Sequence, residues 1–102
     1  MTTTGSTLRD RLDSDDLLIC PGVHDALTAA VADTVGFDAI YMTGYGTSLS
    51  QAGYPDAGFI TMPEMIENAS TIQERIDVPL IADADNGYGN ATNVVRTVRE
   101  YI

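Results

Sequence analysis

Short apolar runs at residues 17–20, 39–42 and 79–82, separated by segments of helical period, constrain this chain more than any other feature. Each run has the length and composition of a strand buried on both faces. Between them, Leu27, Ala30, Val31 and Val35 keep the i, i+3, i+4, i+8 spacing of one helix face, and Met65, Ile66, Ala69, Ile72 and Ile76 do so again after Pro63. Val94, Val95, Val98, Tyr101 and Ile102 form a further stripe, and Leu8 and Leu12 predict an opening helix over 7–13. Parallel strands need a crossover between them, and a helix supplies it. The alternation therefore predicts an α/β fold with a parallel sheet.

The helical pattern from Asn93 to Ile102 stops without a glycine cap, a proline or a loop. So few parallel strands leave open edges, whereas a closed (β/α)₈ barrel takes about 250 residues. The expectation is that residues 1–102 are the N-terminal part of a single barrel domain, its first three β/α units, truncated in the last helix. A small α/β domain that ends after its third helix is the alternative.

Composition limits the partners. The 102 residues carry 15 acidic and five basic residues, a net charge of −10, and every basic residue is arginine. Such a charge repels nucleic acid and anionic membranes, and it repels an anionic substrate unless a cation intervenes. No stretch approaches the roughly 20 apolar residues of a membrane span, and the first residues are not those of a signal peptide. The single Cys20 can form no internal disulfide, so a cytoplasmic protein is expected and the Asn68 and Asn90 sequons carry little meaning.

The unusual residues follow the expected strands. Pro21-Gly22-Val23-His24-Asp25 follows the first, Thr43-Gly44-Tyr45-Gly46 the second, and Asp83-Ala84-Asp85-Asn86-Gly87-Tyr88-Gly89 the third. Active sites of parallel α/β folds gather on that rim, where helix N-termini offer amide donors. The connection over 43–62, with Gly53-Tyr54-Pro55-Asp56 inside it, reads as a long functional loop. Asp83 and Asp85, two apart at a strand end, place two carboxylates on one side, and a hard divalent cation such as Mg²⁺ offsets their repulsion. Otherwise Asp85 or Asn86 caps the next helix and Asp83 accepts from loop amides. His24 is expected to help cap its helix or line the barrel, Asp25 to be an N-terminal helix residue, Cys20 to be a core residue, and Arg96 and Arg99 to pair with nearby acids.

These stretches together, 21–27, 36–44, Pro55-Asp56 and 81–90, resemble the isocitrate lyase/phosphoenolpyruvate mutase superfamily from about Leu8 to Ile102. The resemblance implies a (β/α)₈ barrel that binds Mg²⁺ and a 2-oxo acid or hydroxy-dicarboxylate and works through an enolate-like species. It implies that Asp83 is the direct metal ligand and that Asp85 and Asp56 hold the metal's waters. Thr43, Gly44 and Tyr45 then correspond to the loop that takes the substrate carboxylate, and Tyr41 and Asp56 to residues with catalytic roles. A homo-oligomer is implied for the full-length protein.

Thr43 replaces the serine of many lyases and keeps its hydroxyl, while position 45 varies in the family. The Lys-x-Cys-Gly-His loop that supplies the lyase acid or base, and a further glutamate near the metal, have no counterpart in these 102 residues. The resemblance implies a Mg²⁺-dependent carbon–carbon lyase acting on a 2-methylisocitrate-like or other substituted malate. Phosphonomutase or phosphonopyruvate hydrolase chemistry, oxaloacetate decarboxylation, and a truncated non-catalytic piece are the alternatives. A receiver-like module would need an acid pair after the first strand, which is absent. The acid-rich surface is expected to be a solvated one of the kind halophilic proteins carry, the alternative being a specific acidic binding face. The solvated surface predicts that the thermal unfolding midpoint and solubility rise between low and molar KCl, and salt-independent values would contradict this.

Overall fold

Ile40 and Met42 are wholly buried on one face of the central strand, and the other elements are arranged around them. The computed structural model describes residues 4–102. In chain order these form α1 (Thr4–Leu12), β1 (Gly22–Val23), α2 (Ala26–Val35), β2 (Ile40–Met42), α3 (Gly44–Thr47), a π-helical turn (Ser48–Ala52), α4 (Met62–Arg75), β3 (Leu80–Ala82) and α5 (Ala91–Tyr101). The sheet is parallel in the order β1-β2-β3, with Gly22 opposite Tyr41 and Ile40 opposite Leu80. The α/β expectation holds. Among the described residues no helix is long and apolar enough to cross a membrane.

The core joins Ile40 and Met42 to Val23, Ala29, Met65, Ile72 and Ile76. Each large side chain so buried contributes about 1.5–3 kcal/mol relative to exposure. Pleating sends alternate side chains to opposite faces, so Tyr41, between Ile40 and Met42, points away from this core. Its hydroxyl thereby reaches the end of β3.

Several expectations need correction. The first strand is not the apolar run 17–20 but Gly22–Val23, where the ladder to β2 begins, and Leu17 and Ile19 are exposed. Cys20, half-buried, precedes the strand and is no core residue. In α2 the buried face is Ala29 and Ala32, while Leu27, Val31 and Val35 are exposed. Small side chains allow the helix close to its neighbours, which the count of large apolar residues misjudged. In α5 the buried position is Thr97, with Val95 and Val98 exposed. The connection 43–62 is not a bare loop, since α3 and the π-helical turn occupy its first half. Among the described residues Arg11 pairs with Asp38 and His24 Nε2 stands 3.6 Å from Asp25 Oδ2, so Arg96 and Arg99 lack the acidic partners expected of them.

The α4 stripe is mostly as expected, with Met65, Ile72 and Ile76 buried, but Asn68 is buried as well. Its Nδ2 donates to the His24 carbonyl at 3.0 Å and to Thr47 Oγ1 at 3.2 Å, tying α4 to the ends of β1 and α3.

Asp25 is the N-cap of α2, as its position suggested. Its carboxylate accepts from the Thr28 amide at 2.8 Å, and the Thr28 hydroxyl closes a capping box. The amide of Thr28 and then its hydroxyl hold the Asp25 carboxyl below its ordinary value against the opposing effect of burial, with a lesser contribution from the neighbouring His24. A carboxyl lowered by folding stabilises above its unfolded pKa and loses that contribution as pH falls through the folded value. Asp25→Ala should cost about 1 kcal/mol in urea unfolding at pH 7. The difference from the parent should shrink as the solution is acidified below pH 3.8, the ordinary value for this group. A pH-independent difference would contradict the cap.

Candidate functional site

The strands end on one rim, and Asp83, the residue after β3, sits at its centre. Its amide donates to the Met42 carbonyl at 3.2 Å, extending the β2–β3 ladder by one step. Its side chain is half-buried and held on both oxygens. Tyr41 Oη donates to Oδ2 at 3.1 Å, and the Asp85 amide donates to Oδ1 at 2.7 Å. The carboxylate lies against Gly44, where a Cβ would stand 2.6 Å from Oδ2 and 2.9 Å from Cγ. Only glycine leaves that space. Among the described residues no arginine or histidine neutralises Asp83.

Burial, the hydrogen bond to Asp83, and the charges of Asp83 and Asp56 push the Tyr41 hydroxyl above its ordinary value of 10.0. At neutral pH it is therefore a donor and no base. Asp56 itself is exposed, and its charge is the smallest of these effects on Tyr41. The segment carrying it is anchored by buried Ser48, whose Oγ donates to the Tyr54 carbonyl at 2.8 Å and that of Pro55 at 3.2 Å. Tyr54 and Phe59 stack across it with ring centroids 4.6 Å apart.

Thr43 caps α3. Its Oγ1 accepts from the Gly46 amide at 3.1 Å, which leaves the hydroxyl proton free to donate. The amides of Gly44 and Tyr45 open the helix and have no carbonyl within it to receive them. Tyr45 is exposed beside them. The structure thus brings Asp83, Tyr41, Gly44 and Thr43 together.

Asp85 stands differently from expectation. Both acids lie beyond β3, and Asp85 has φ 47°, so a turn and not strand alternation directs its side chain. Tyr88 is also left-handed, at φ 63°. Such backbone costs on the order of 1 kcal/mol or more per residue and persists only where surroundings enforce it. Here the Gly87 amide donates to Ala84 O at 2.8 Å and the Tyr88 amide to Asn86 Oδ1 at 2.9 Å. Helix α5 is capped by Asn90, which accepts from the Thr92 and Asn93 amides, so neither Asp85 nor Asn86 has that duty. Asp85, Asn86, Tyr88 and Arg96 line a cleft of about 430 Å³ between the 58–63 segment and α5. Neither Asp83 nor Tyr41 borders it.

Sequence reasoning missed Thr97 and Tyr101 as supports of this loop. The buried Thr97 hydroxyl donates to Gly87 O at 2.6 Å, and Tyr101 Oη donates to Asp83 O at 3.0 Å. Burial chiefly, and after it the Tyr101 hydroxyl, raises the Tyr88 phenol well above its ordinary range. Tyr101 is raised chiefly by burial too. A threonine at a buried helix position beneath a glycine-rich loop was the only available signal.

The donor set bears on the implied Mg²⁺. Among the described residues no three acidic, histidine or cysteine side chains converge as a direct cage. Mg²⁺ does not require one, since it takes one or two carboxylates and keeps several waters. A half-buried carboxylate held by two hydrogen bonds and without a cationic partner among the described residues fits that mode.

A family profile described as phosphoenolpyruvate phosphomutase matches residues 8–102. The 2,3-dimethylmalate lyase of Eubacterium barkeri is 54% identical over 98 residues, which is 96% of this chain and 34% of that enzyme. The structure of an oxaloacetate acetylhydrolase superposes with a TM-score of 0.91 at 42% identity, over 97% of this chain and 36% of that one. A phosphonopyruvate hydrolase in complex with oxalate and Mg²⁺ superposes with a TM-score of 0.91 at 37% identity, over 98% and 35%. These neighbours belong to a TIM-barrel superfamily, and this chain spans about a third of their length. With its parallel β/α units and the Asp83 rim, the chain belongs to the phosphoenolpyruvate phosphomutase family, within the isocitrate lyase/phosphoenolpyruvate mutase superfamily.

Proposed function

We propose that this chain is the N-terminal portion, three β/α units of a (β/α)₈ domain, of a Mg²⁺-dependent carbon–carbon lyase. Its substrate is a substituted malate of the 2-methylisocitrate or dimethylmalate kind, cleaved through an enolate. The observation that carries this reading is the Asp83 carboxylate, held by Tyr41 and the Asp85 amide against Gly44 without a cationic partner. The 54% identity to a 2,3-dimethylmalate lyase supports the substrate class.

In this reading Asp83 binds the cation directly, and Asp85 and Asp56 hold its waters. Bound there, Mg²⁺ supplies Lewis-acid stabilisation of developing negative charge. Tyr41, kept protonated, donates its Oη proton to Asp83 Oδ2 and so would fix the orientation of the carboxylate that holds the cation. The Thr43 hydroxyl and the amides of Gly44 and Tyr45 receive the substrate carboxylate. Tyr54 and Phe59 stack across the Asp56 segment and brace it. The acid–base residue of the cleavage is supplied from outside these 102 residues.

A second reading, phosphonopyruvate hydrolysis or a related enolate reaction on the same rim, is favoured by the likeness to the phosphonopyruvate hydrolase. Both readings use the same cation site. Product analysis of a longer protein containing this chain, with dimethylmalate and with phosphonopyruvate, separates them.

Asp83→Asn keeps the shape and an acceptor for Tyr41 but removes the charge. Calorimetric titration should show Mn²⁺ or Mg²⁺ affinity falling at least about 10-fold. Parent-like affinity would remove Asp83 from the site. In Gly44→Ala the new Cβ displaces the carboxylate, so overpacking should cost about 1–3 kcal/mol in thermal unfolding. Cation affinity should fall with it. Unchanged affinity in a folded Gly44→Ala chain would contradict the close packing of Asp83.

A further inference from the structure

Two hydroxyls of α5 contact the loop that begins at Asp83, and neither belongs to the rim's ligand set. Tyr101 Oη donates to the backbone carbonyl of Asp83 at 3.0 Å. Thr97, only 2% exposed, donates to the Gly87 carbonyl at 2.6 Å. Between these points the chain makes the turn in which Asp85 and Tyr88 are left-handed, and Gly87, at φ 92°, packs so closely on Val94 that a Cβ would stand 2.5 Å from Cγ2. The loop is therefore pinned at its first residue and at its tightest point. Both pins come from α5 and lie one helical turn apart on it. The Asp85 amide that holds Asp83 Oδ1 lies inside the pinned span.

We infer that Thr97 and Tyr101 are positioning residues, which hold the 83–88 loop so that the Asp83 carboxylate is set in advance for a divalent cation. The inference rests on Asp83 being the ligand proposed above. Unpinned, the left-handed residues relax, the Asp85 amide withdraws from Oδ1, and the carboxylate turns on its own rotamers. Ligand-orienting partners of this sort typically change metal affinity 10–100-fold when removed. A carbonyl contact acting through the backbone belongs at the low end.

The test uses the full chain with Mn²⁺ as the probe, titrated with electron paramagnetic resonance detection of the free ion, and amide hydrogen exchange at Asp85 and Gly87 without metal. Tyr101→Phe keeps the ring and removes only the hydroxyl, and Thr97→Val keeps the shape. Each should raise the Mn²⁺ dissociation constant about 10-fold. Each should also speed exchange at Asp85 with the far-ultraviolet circular dichroism unchanged. Thr97→Ser, which restores a hydroxyl, should bind Mn²⁺ as the parent does. Parent-like Mn²⁺ affinity in both Tyr101→Phe and Thr97→Val overturns the inference, and so does unchanged exchange at Asp85 and Gly87. A parent chain that binds no Mn²⁺ refutes Asp83 as ligand instead, and the exchange measurement still decides whether α5 holds the loop.

Discussion

The contact of the Asp83 carboxylate with Gly44 joins the two halves of the rim. Asp83 belongs to the end of β3 and Gly44 to the start of α3, and the absence of a Cβ at Gly44 lets an acid side chain lie on the backbone that opens the next loop. Tyr41 can reach the same carboxylate because strand pleating turns it away from the face that Ile40 and Met42 bury. One strand thus serves both the core and the rim, by alternation alone. A carboxylate so held, without a cationic neighbour among the described residues, keeps its charge available to a cation.

Polar groups buried beneath the rim make that arrangement rigid. Asn68 links the His24 carbonyl to Thr47, and Thr47 Oγ1 donates to the Thr43 carbonyl at 2.6 Å, so α4 fixes where α3 begins. Ser48 fixes the Asp56 segment, and Thr97 and Tyr101 fix the loop after β3. In each case a buried or half-buried side chain donates to a backbone carbonyl at the end of an element or in a loop, which fixes where that segment lies. The exposed Arg11–Asp38 pair, by contrast, contributes at most about 1 kcal/mol and weakens with salt.

Much of this was legible in the chain. Apolar runs marked β2 and β3 because both are packed on the core side, and the order of strands and helices required a parallel sheet. Asp25 could be read as a helix-start residue because capping is local. The first strand was not legible, since Leu17 and Ile19 look buried by composition while pairing with β2 begins only at Pro21 and Gly22. The faces of α2 and α5 were misread for a related reason. Alanine permits the closest approach and threonine is recruited by a carbonyl, so neither Ala29 nor Thr97 carries a hydropathy signal. At the rim, residue types were legible and directions were not. Asp83, Thr43 and Gly44 are brought together, whereas the turn at Asp85 overrides the period-two expectation for its side chain.

The central claim is that Asp83 is the residue of this chain that takes a divalent cation. The most direct measurement is a crystal structure grown with Mn²⁺ and oxalate, with the metal located by its anomalous signal. The account predicts a peak about 2.1 Å from an Asp83 carboxylate oxygen, the spacing at which Mg²⁺ takes its oxygen ligands. Waters on that ion should face Asp85 and Asp56, and an oxalate carboxylate should lie against Thr43 and Gly44. A metal peak elsewhere, or an Asp83 carboxylate with no metal beside it at saturating Mn²⁺, would contradict it.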